Sequence, residues 1–178
     1  MEIVQTSSEA MSIIDCNDEA KAYMKKEYRY VRWNITQIQD STTLIQVWEL
    51  ELLNSDNTKF NRPSGTTITC NRTMYPSPNG IDMLIDGSVY TKMAVKEPQT
   101  YPVLITIDMK TKVDFTNITK WRWYNGNDTN SYRGRVPRAY TLELSKDWNS
   151  RDTVDTVTTS YTPNYSNYGI AYTGNINF

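Results

Sequence analysis

The chain has 178 residues, a formal net charge of −1 and no histidine. This length is sufficient for one domain with a buried core. The near-neutral charge argues against a nucleic-acid-binding surface over the whole protein, and nucleic acid is not an expected partner. Without histidine, Ser-His and Cys-His nucleophiles and His-ligated zinc are excluded, so we expect a protein that is not an enzyme.

The first 27 residues are predicted to form an arm that ends in a short helix. Residues 17–27 begin with Asn and Asp, contain good helix formers and end with basic residues, a pattern typical of a helix. The N-terminus lacks the basic and apolar regions of a secretory signal, and no run of about 20 apolar residues is present. We therefore expect a protein made in the cytoplasm, without a membrane partner.

Residues 28–178 are predicted to form one all-β domain. Alternating apolar and polar side chains, the period of a half-buried strand, recur in six segments. These segments are 30–36, 45–53, 103–109, 119–124, 140–144 and 153–158. Turn-rich stretches with Gly, Pro, Asn and Asp separate them, and many short strands with polar turns favour a β-sandwich. We also expect the stretch 162–178 to supply a final strand beside the first one.

Alternation predicts which side chains are buried. The residues expected to face inward are apolar or aromatic and comprise Val31, Trp33, Ile35, Trp48, Leu50, Leu52, Trp121 and Trp123. In segment 45–53 the opposite face carries Val47, Glu49 and Glu51, which we expect on the outside. Glycoside hydrolysis needs two carboxylates that flank the substrate, and two exposed glutamates on a strand fit solvent better than catalysis.

Three motifs stand out by their order and spacing. They are YRYVR (28–32) followed by an aliphatic strand ending in Glu-Leu, the loop LIDGSVYTKM (84–93), and YTLELS (140–145). In this order, over residues 28–160, the chain resembles the discoidin or coagulation-factor C-domain family, which has a galactose-binding-like jelly-roll fold. The YRYVR and Glu-Leu strands come first here and last in the usual domain. The resemblance is therefore to a circularly permuted form, of the kind found in phage virion proteins.

The resemblance implies a structural calcium ion at the Asp-Gly loop. In calcium-binding members this loop and a Glu from the Glu-Leu strand supply oxygen ligands, which correspond here to Glu49, Asp86, Ser88 and Thr91. Ser88 stands where the family commonly has a second Asp, and Met93 stands where it commonly has Trp. The alternative is that Asp86 caps its own turn and that Glu49 is a solvated carboxylate.

The resemblance also implies ligand recognition by loops at one end of the sandwich. Segment 125–138 is long, rich in Gly and Asn, and carries three arginines. Tyr132 offers a ring that stacks on a sugar, while Arg133, Arg135 and Arg138 offer hydrogen bonds to an anionic or hydroxylated glycan. The alternative is that this segment is a solvated surface or a contact between subunits.

The expected function is that of a non-enzymatic structural protein of a phage-like virion. Such proteins are made in the host cytoplasm and meet the outside after lysis. The chain would be a capsid decoration (auxiliary) protein or a head or tail fibre component, with other virion proteins as partners and adhesion to host-surface glycans. A homo-oligomer suits assembly on a symmetric particle, although no residue predicts one. The alternative function is a free-standing carbohydrate-binding lectin module.

Overall fold

A computed structural model describes residues 26–40, 44–96 and 100–178 of the chain. The predicted arm and helix over residues 1–27 therefore lie outside the described residues, except for Lys26 and Glu27. Glu27 opens the first β-strand and does not belong to a helix, so that strand begins one residue before the predicted domain boundary at 28.

The described residues form ten β-strands and two single-turn 3₁₀ helices, at Ile81–Leu84 and Arg133–Arg135. In chain order the strands are β1 (Glu27–Ile38), β2 (Ile45–Val47), β3 (Leu50–Asn54), β4 (Thr67–Cys70), β5 (Met93–Val95), β6 (Val103–Asp114), β7 (Ile118–Tyr124), β8 (Pro137–Ser145), β9 (Asp152–Val157) and β10 (Ile170–Asn175). The prediction of an all-β domain is confirmed.

The strands form three antiparallel sheets. The largest has five strands in the order β4-β6-β1-β8-β9, a second has the order β10-β7-β3, and β2 pairs with β5 alone. Such sheets, with short strands and polar turns, are stabilised by burying one face of each against another layer.

The five-stranded and three-stranded sheets face each other across a layer of aromatic rings. The Trp33 ring in β1 lies 5.7 Å from that of Trp121 and 5.8 Å from that of Trp123, both in β7. The Trp123 indole Nε1 donates a hydrogen bond of 3.1 Å to the Tyr140 hydroxyl in β8. These contacts join the two sheets, and the arrangement is consistent with a β-sandwich. All eight residues predicted to face inward are at most 2% exposed, which confirms the predicted core.

The outward placement of Val47, Glu49 and Glu51 is wrong. Val47 and Glu49 are 0% exposed and Glu51 is 7% exposed. The predicted strand 45–53 is interrupted at Trp48 and Glu49, where the chain leaves the β2-β5 pair and enters the three-stranded sheet. A single alternating period therefore does not run through the segment, and one face cannot be assigned from it.

The segment after β3 explains why the glutamate face is covered. It turns back along the strand, and the Phe60 N–H donates a 2.8 Å hydrogen bond to the Leu52 carbonyl oxygen. This return places the Lys59 ammonium against Glu49 and Glu51. Burial of the two carboxylates is thus compensated by a cation that follows them in the chain.

The final strand is correctly predicted, but its neighbour is wrong. β10 pairs with β7, whereas β1 lies between β6 and β8 and has no free edge. Gly174 in β10 lies opposite Trp121. A Cβ at Gly174 would lie 2.0 Å from Asp155 Oδ2 and 2.7 Å from Trp121 Nε1, so only glycine fits between these side chains.

Candidate ligand-binding face and the Asp-Gly loop

Three segments that are far apart in the sequence meet at one part of the surface. The Asn125 N–H donates to the Gly169 carbonyl oxygen at 2.9 Å, and the Tyr168 N–H donates to the Gly126 carbonyl oxygen at 3.3 Å. The rings of Tyr90 and Tyr168 lie 5.2 Å apart. We call residues 86–91, 125–135 and 161–169 together the loop face.

The middle segment of the loop face is held by buried contacts. Asn125 and Thr129 are each 1% exposed, and the Gly126 N–H donates to Thr129 Oγ1 at 3.0 Å. The Asn125 side-chain amide donates to the Asn164 carbonyl oxygen. Gly126 lies on the Trp48 indole so closely that a Cβ would be 1.5 Å from Trp48 Cε2. A segment fixed in this way presents a preformed surface, which lowers the entropy cost of binding.

Asp128, the acidic residue of this segment, is already engaged. Lys92 Nζ lies 2.8 Å from Asp128 Oδ2, and Gln46 Nε2 donates to Asp128 Oδ1 at 3.0 Å. The same ammonium lies 5.1 Å from the centre of the Trp48 ring. The carboxylate therefore has partners within the protein, and its charge is paired with lysine.

A cleft of about 500 Å³ opens on the loop face. Its lining residues are polar or aromatic and comprise Asn130, Arg133, Asn164, Tyr165, Ser166 and Asn167. We call it the amide cleft. Its volume lies in the usual range for small-molecule sites. Amide, hydroxyl and guanidinium groups beside an aromatic ring are suited to the hydroxyls and ring faces of sugars.

Hydrogen bonds within the amide cleft fix its side chains. Asn167 Oδ1 accepts a 3.3 Å bond from the Asn130 N–H, and Asn164 Oδ1 accepts a 3.0 Å bond from the Ser166 N–H. The Arg133 guanidinium lies 5.1 Å from the centre of the Tyr165 ring and donates to Asn130 Oδ1. The Asn130–Asn167 bond and the Arg133–Tyr165 contact join segments 125–135 and 161–169 across the cleft, and the other two bonds lie within one segment each.

Tyr165 lies in a positive environment. Burial raises the pKa of its hydroxyl, and the nearby Arg133 and Arg138 partly oppose that rise. The hydroxyl is therefore protonated at neutral pH and is able to donate a hydrogen bond.

The four predicted ligand-binding residues separate in the structure. Arg133 lines the amide cleft. The charge of Arg138 opposes the rise in the pKa of Tyr165, and Arg138 Nε donates a hydrogen bond to the Thr159 carbonyl oxygen at 2.9 Å. The Arg135 guanidinium lies 3.9 Å from the centre of the Tyr132 ring and lines a different cleft of about 200 Å³. Tyr132 is 47% exposed. Segment 125–138 thus contributes to two surfaces.

Sequence reasoning missed Tyr90 and the segment 161–169. The sequence YTPNYSNYG contains the same Asn and Tyr residues that drew attention to segment 125–138, and this was the signal that could have identified it. Tyr90 is 78% exposed within the Asp-Gly loop, and its ring contact with Tyr168 gives no signal in the sequence.

The Asp-Gly loop is closed by its own hydrogen bonds. Asp86 Oδ1 accepts from the Ser88 N–H at 2.8 Å, and Asp86 Oδ2 accepts from the Thr91 hydroxyl at 2.6 Å. The Thr91 hydroxyl also lies 3.2 Å from the Ser88 carbonyl oxygen. Gly87 has φ +88, which favours glycine at this turn. The capping role considered for Asp86 is therefore present.

Glu49 contacts this loop and is fully buried, so it is not the solvated carboxylate considered as an alternative. Its Oε2 accepts a 3.0 Å bond from the Gly87 N–H, and its Oε1 lies 3.2 Å from Lys59 Nζ. Burial raises the pKa of Glu49 to about 7, against the opposing effects of Lys59, Gly87 and Arg62. The structure thus brings the four predicted calcium ligands into one neighbourhood, with a lysine beside them.

A calcium ion takes six to eight oxygen ligands, and the carboxylates predicted to bind it already have partners within the protein. Within residues 26–40, 44–96 and 100–178 no group of three or more His, Cys, Asp or Glu side chains is placed to hold a metal. Asp86 and Thr91 bond to each other, and the Lys59 ammonium lies at the Glu49 carboxylate. The calcium site implied by the resemblance stays a prediction.

No family model, curated protein or solved structure matches the chain. The discoidin resemblance therefore stays a prediction that rests on the three motifs. None of the helices in the described part of the chain is long and apolar enough to cross a membrane.

Proposed function

We propose that the protein is a non-enzymatic structural component of a phage-like virion, a capsid decoration protein or a head or tail fibre component, which adheres to surface glycans through its loop face. The proposal includes a permuted, galactose-binding-like jelly roll as the finer description of its antiparallel sheets. The virion assignment is supported by the three motifs, and the adhesive role is supported by the amide cleft. The cleft is the observation that carries the adhesive role.

Exposed aromatic rings support adhesion to sugars. Tyr90 is 78% exposed and Tyr168 is 41% exposed, and their rings contact each other beside segment 125–135. Tyrosine supplies a flat apolar face at little entropy cost, while its hydroxyl stays hydrogen-bonded to water or ligand. Together with the asparagines of the amide cleft, these rings form a surface that is both apolar and rich in hydrogen-bonding groups.

The position of the two paired glutamates supports a non-catalytic role. A glycosidase places two carboxylates on either side of the bond that it cleaves. Glu49 is 0% exposed, and Glu51 is bound by Lys59 at 3.1 Å and by Arg122 at 2.7 Å. A substrate cannot reach either carboxylate without displacing these cations, and the residues that line the amide cleft include no carboxylate.

Two measurements test the proposal. Immunogold labelling of density-purified particles should place the protein on virions, and a glycan array should detect binding by the purified chain. Binding to the array by a chain that is absent from particles would favour the lectin module over the virion component, since both functions use the amide cleft. Presence on particles without binding to any glycan would remove the adhesive role, and robust hydrolysis by the wild-type protein would contradict the non-enzymatic role.

A further inference from the structure

The amide cleft differs from a neutral sugar site in its charge. We infer that it takes a carboxylated sugar residue, such as a uronic acid, and that Arg133 binds the carboxylate. This inference rests on the proposed adhesive function and names the substrate class of the same site.

The charges of the loop face are the first reason. The carboxylates of its three segments belong to Asp86 and Asp128. Asp86 accepts hydrogen bonds from Ser88 and Thr91, and Asp128 is paired with Lys92. Neither residue lines the amide cleft. The lining of the cleft therefore contains a guanidinium and no carboxylate, which favours an incoming anion.

The donors of Arg133 are the second reason. A guanidinium has five N–H donors arranged as a planar fork, which matches a carboxylate in a bidentate contact. Among the described residues, the Arg133 guanidinium donates one hydrogen bond, to Asn130 Oδ1, and lies over the Tyr165 ring. This contact orients the group at the cleft and leaves other donors for a ligand.

The amides are the third reason, because they suit the remainder of a uronic acid. Asn130, Asn164 and Asn167 line the cleft. Their side-chain oxygens already accept one hydrogen bond each within the protein, and Asn164 Nδ2 donates to the Ile170 carbonyl oxygen at 3.2 Å. The NH₂ groups of Asn130 and Asn167 and the second lone pair of each amide oxygen are therefore the groups that a sugar hydroxyl can bond to. Tyr165 also lines the cleft, and its hydroxyl is another donor or acceptor. The site thus combines one cationic group with several neutral hydrogen-bonding groups. This combination complements an acidic monosaccharide, which carries one carboxylate and several hydroxyls.

The test uses two probes with the same sugar backbone, one with charged and one with neutral carboxyl groups: α-1,4-linked trigalacturonic acid and its fully methyl-esterified form. Isothermal titration calorimetry at low salt should show the acid binding about tenfold or more tightly than the ester, as expected for a charge-assisted hydrogen-bonded pair. The preference should shrink as salt is added.

Variants of two arginines in one short helix provide the control. Arg133→Ala should abolish the preference for the acid, and Arg133→Lys should restore part of it because the charge returns without the planar fork. Arg135→Ala should keep the wild-type preference, since Arg135 lines the other cleft. Thermal unfolding of each variant checks that the fold is retained, which is expected because Arg133 is exposed.

Equal binding of acid and ester by the wild type would overturn this inference and leave glycan adhesion standing. An undiminished preference in Arg133→Ala would overturn it as well. Binding of neither probe would also overturn it, and in that case the glycan array decides separately whether the adhesive function stands.

Discussion

The ammonium of Lys59 lies 3.2 Å from the carboxylate of Glu49, a residue with no exposed surface. The same nitrogen lies 3.1 Å from Glu51. Since Glu49 also accepts a hydrogen bond from the Gly87 N–H, one lysine joins the segment after β3 to the Asp-Gly loop through a buried carboxylate. This contact is a central electrostatic feature of the fold and leads to three predictions.

Replacing Lys59 by Met should destabilise the protein strongly. At about pH 8, where Glu49 is ionised in the folded protein, removing Lys59 leaves the buried charges of Glu49 and Glu51 without this cation, at a cost of about 3 kcal/mol in the free energy of unfolding. Adding Glu49→Gln to Lys59→Met should restore part of the loss. Urea unfolding measures both effects.

Lys110→Met is the matched control for this experiment. Lys110 pairs with Asp108 at 3.0 Å, but its side chain is 44% exposed, so we expect a change of less than about 1 kcal/mol. Equal losses for Lys59→Met and Lys110→Met would contradict the special role of the buried pair.

Stability should fall as the pH rises through the neutral range. Burial raises the pKa of Glu49 from 4.5 to about 7, so in this window the folded state keeps a proton that the unfolded chain releases. The contribution of Glu49 is complete below the unfolded pKa and is lost as the pH passes the folded pKa. Urea unfolding at several pH values between about 5 and about 8 should show a shallower decline for Glu49→Gln than for wild type.

The unfolding measurements stay above about pH 5, because below it Asp108 makes stability fall as the pH decreases, opposite to the effect of Glu49. The Arg29 guanidinium holds the pKa of Asp108 well below its usual value of 3.8, so its contribution to stability is lost progressively as the pH falls below that value towards the folded pKa. Identical pH profiles for wild type and Glu49→Gln would contradict the raised pKa of Glu49.

Calcium should leave the melting temperature of the wild-type protein unchanged relative to a chelator. The positive charge at Glu49 is supplied by Lys59, and Asp86 is occupied by Ser88 and Thr91. Asp86→Ala should lower the melting temperature to the same extent in both conditions, since it removes the bonds that close the loop. Calcium raising the melting temperature of wild type but not of Asp86→Ala would establish the ion site that the family resemblance implies.

Adding one methyl group at Gly126 should disturb the loop face. A Cβ at this position would lie 1.5 Å from Trp48 Cε2, so Gly126→Ala must move the backbone or the indole, at a cost of about 1–3 kcal/mol. We also expect glycan binding to weaken, because segment 125–135 carries part of the amide cleft. Thermal unfolding and the glycan array measure the two effects.

Gly80→Ala is the control for Gly126→Ala. Gly80 has φ −66 and no atom within 4 Å of its would-be Cβ, so the change should stay within about 0.5 kcal/mol. A Gly126→Ala variant as stable as Gly80→Ala, with unaltered glycan binding, would show that Trp48 does not position the segment.

The sequence predicts the parts of the fold where one strand face is buried against the opposite sheet. Trp33 in β1, and Trp121 and Trp123 in β7, lie at the inward positions that alternation predicts, because each strand stays in one sheet along its length, although Arg32 on the opposite face of β1 is also buried. Alternation does not predict the buried face of segment 45–53, because the chain changes sheet at Trp48 and both faces become covered. Alternation reports burial on one face of one sheet, and it carries no information about such a crossing.

The candidate site was harder to predict because its contacts are distant in sequence. Arg133 was identified from a loop rich in Gly, Asn and Arg, but the cleft exists only where segment 161–169 meets segment 125–135. The burial of Glu49 likewise depends on Lys59 and Gly87, which no local pattern connects with it. Residue type predicted the chemistry of the loops, while long-range pairing decided which residues act together.

The most direct test of the central claim, that the amide cleft binds glycan, is a nuclear magnetic resonance titration of the isotopically labelled protein with trigalacturonic acid. We predict saturable chemical-shift changes concentrated in residues 126–133 and 161–170, with the Arg133 side-chain resonance among them. Changes confined to other surfaces, or no saturable change in these segments with this probe or with any array-positive glycan, would contradict the claim.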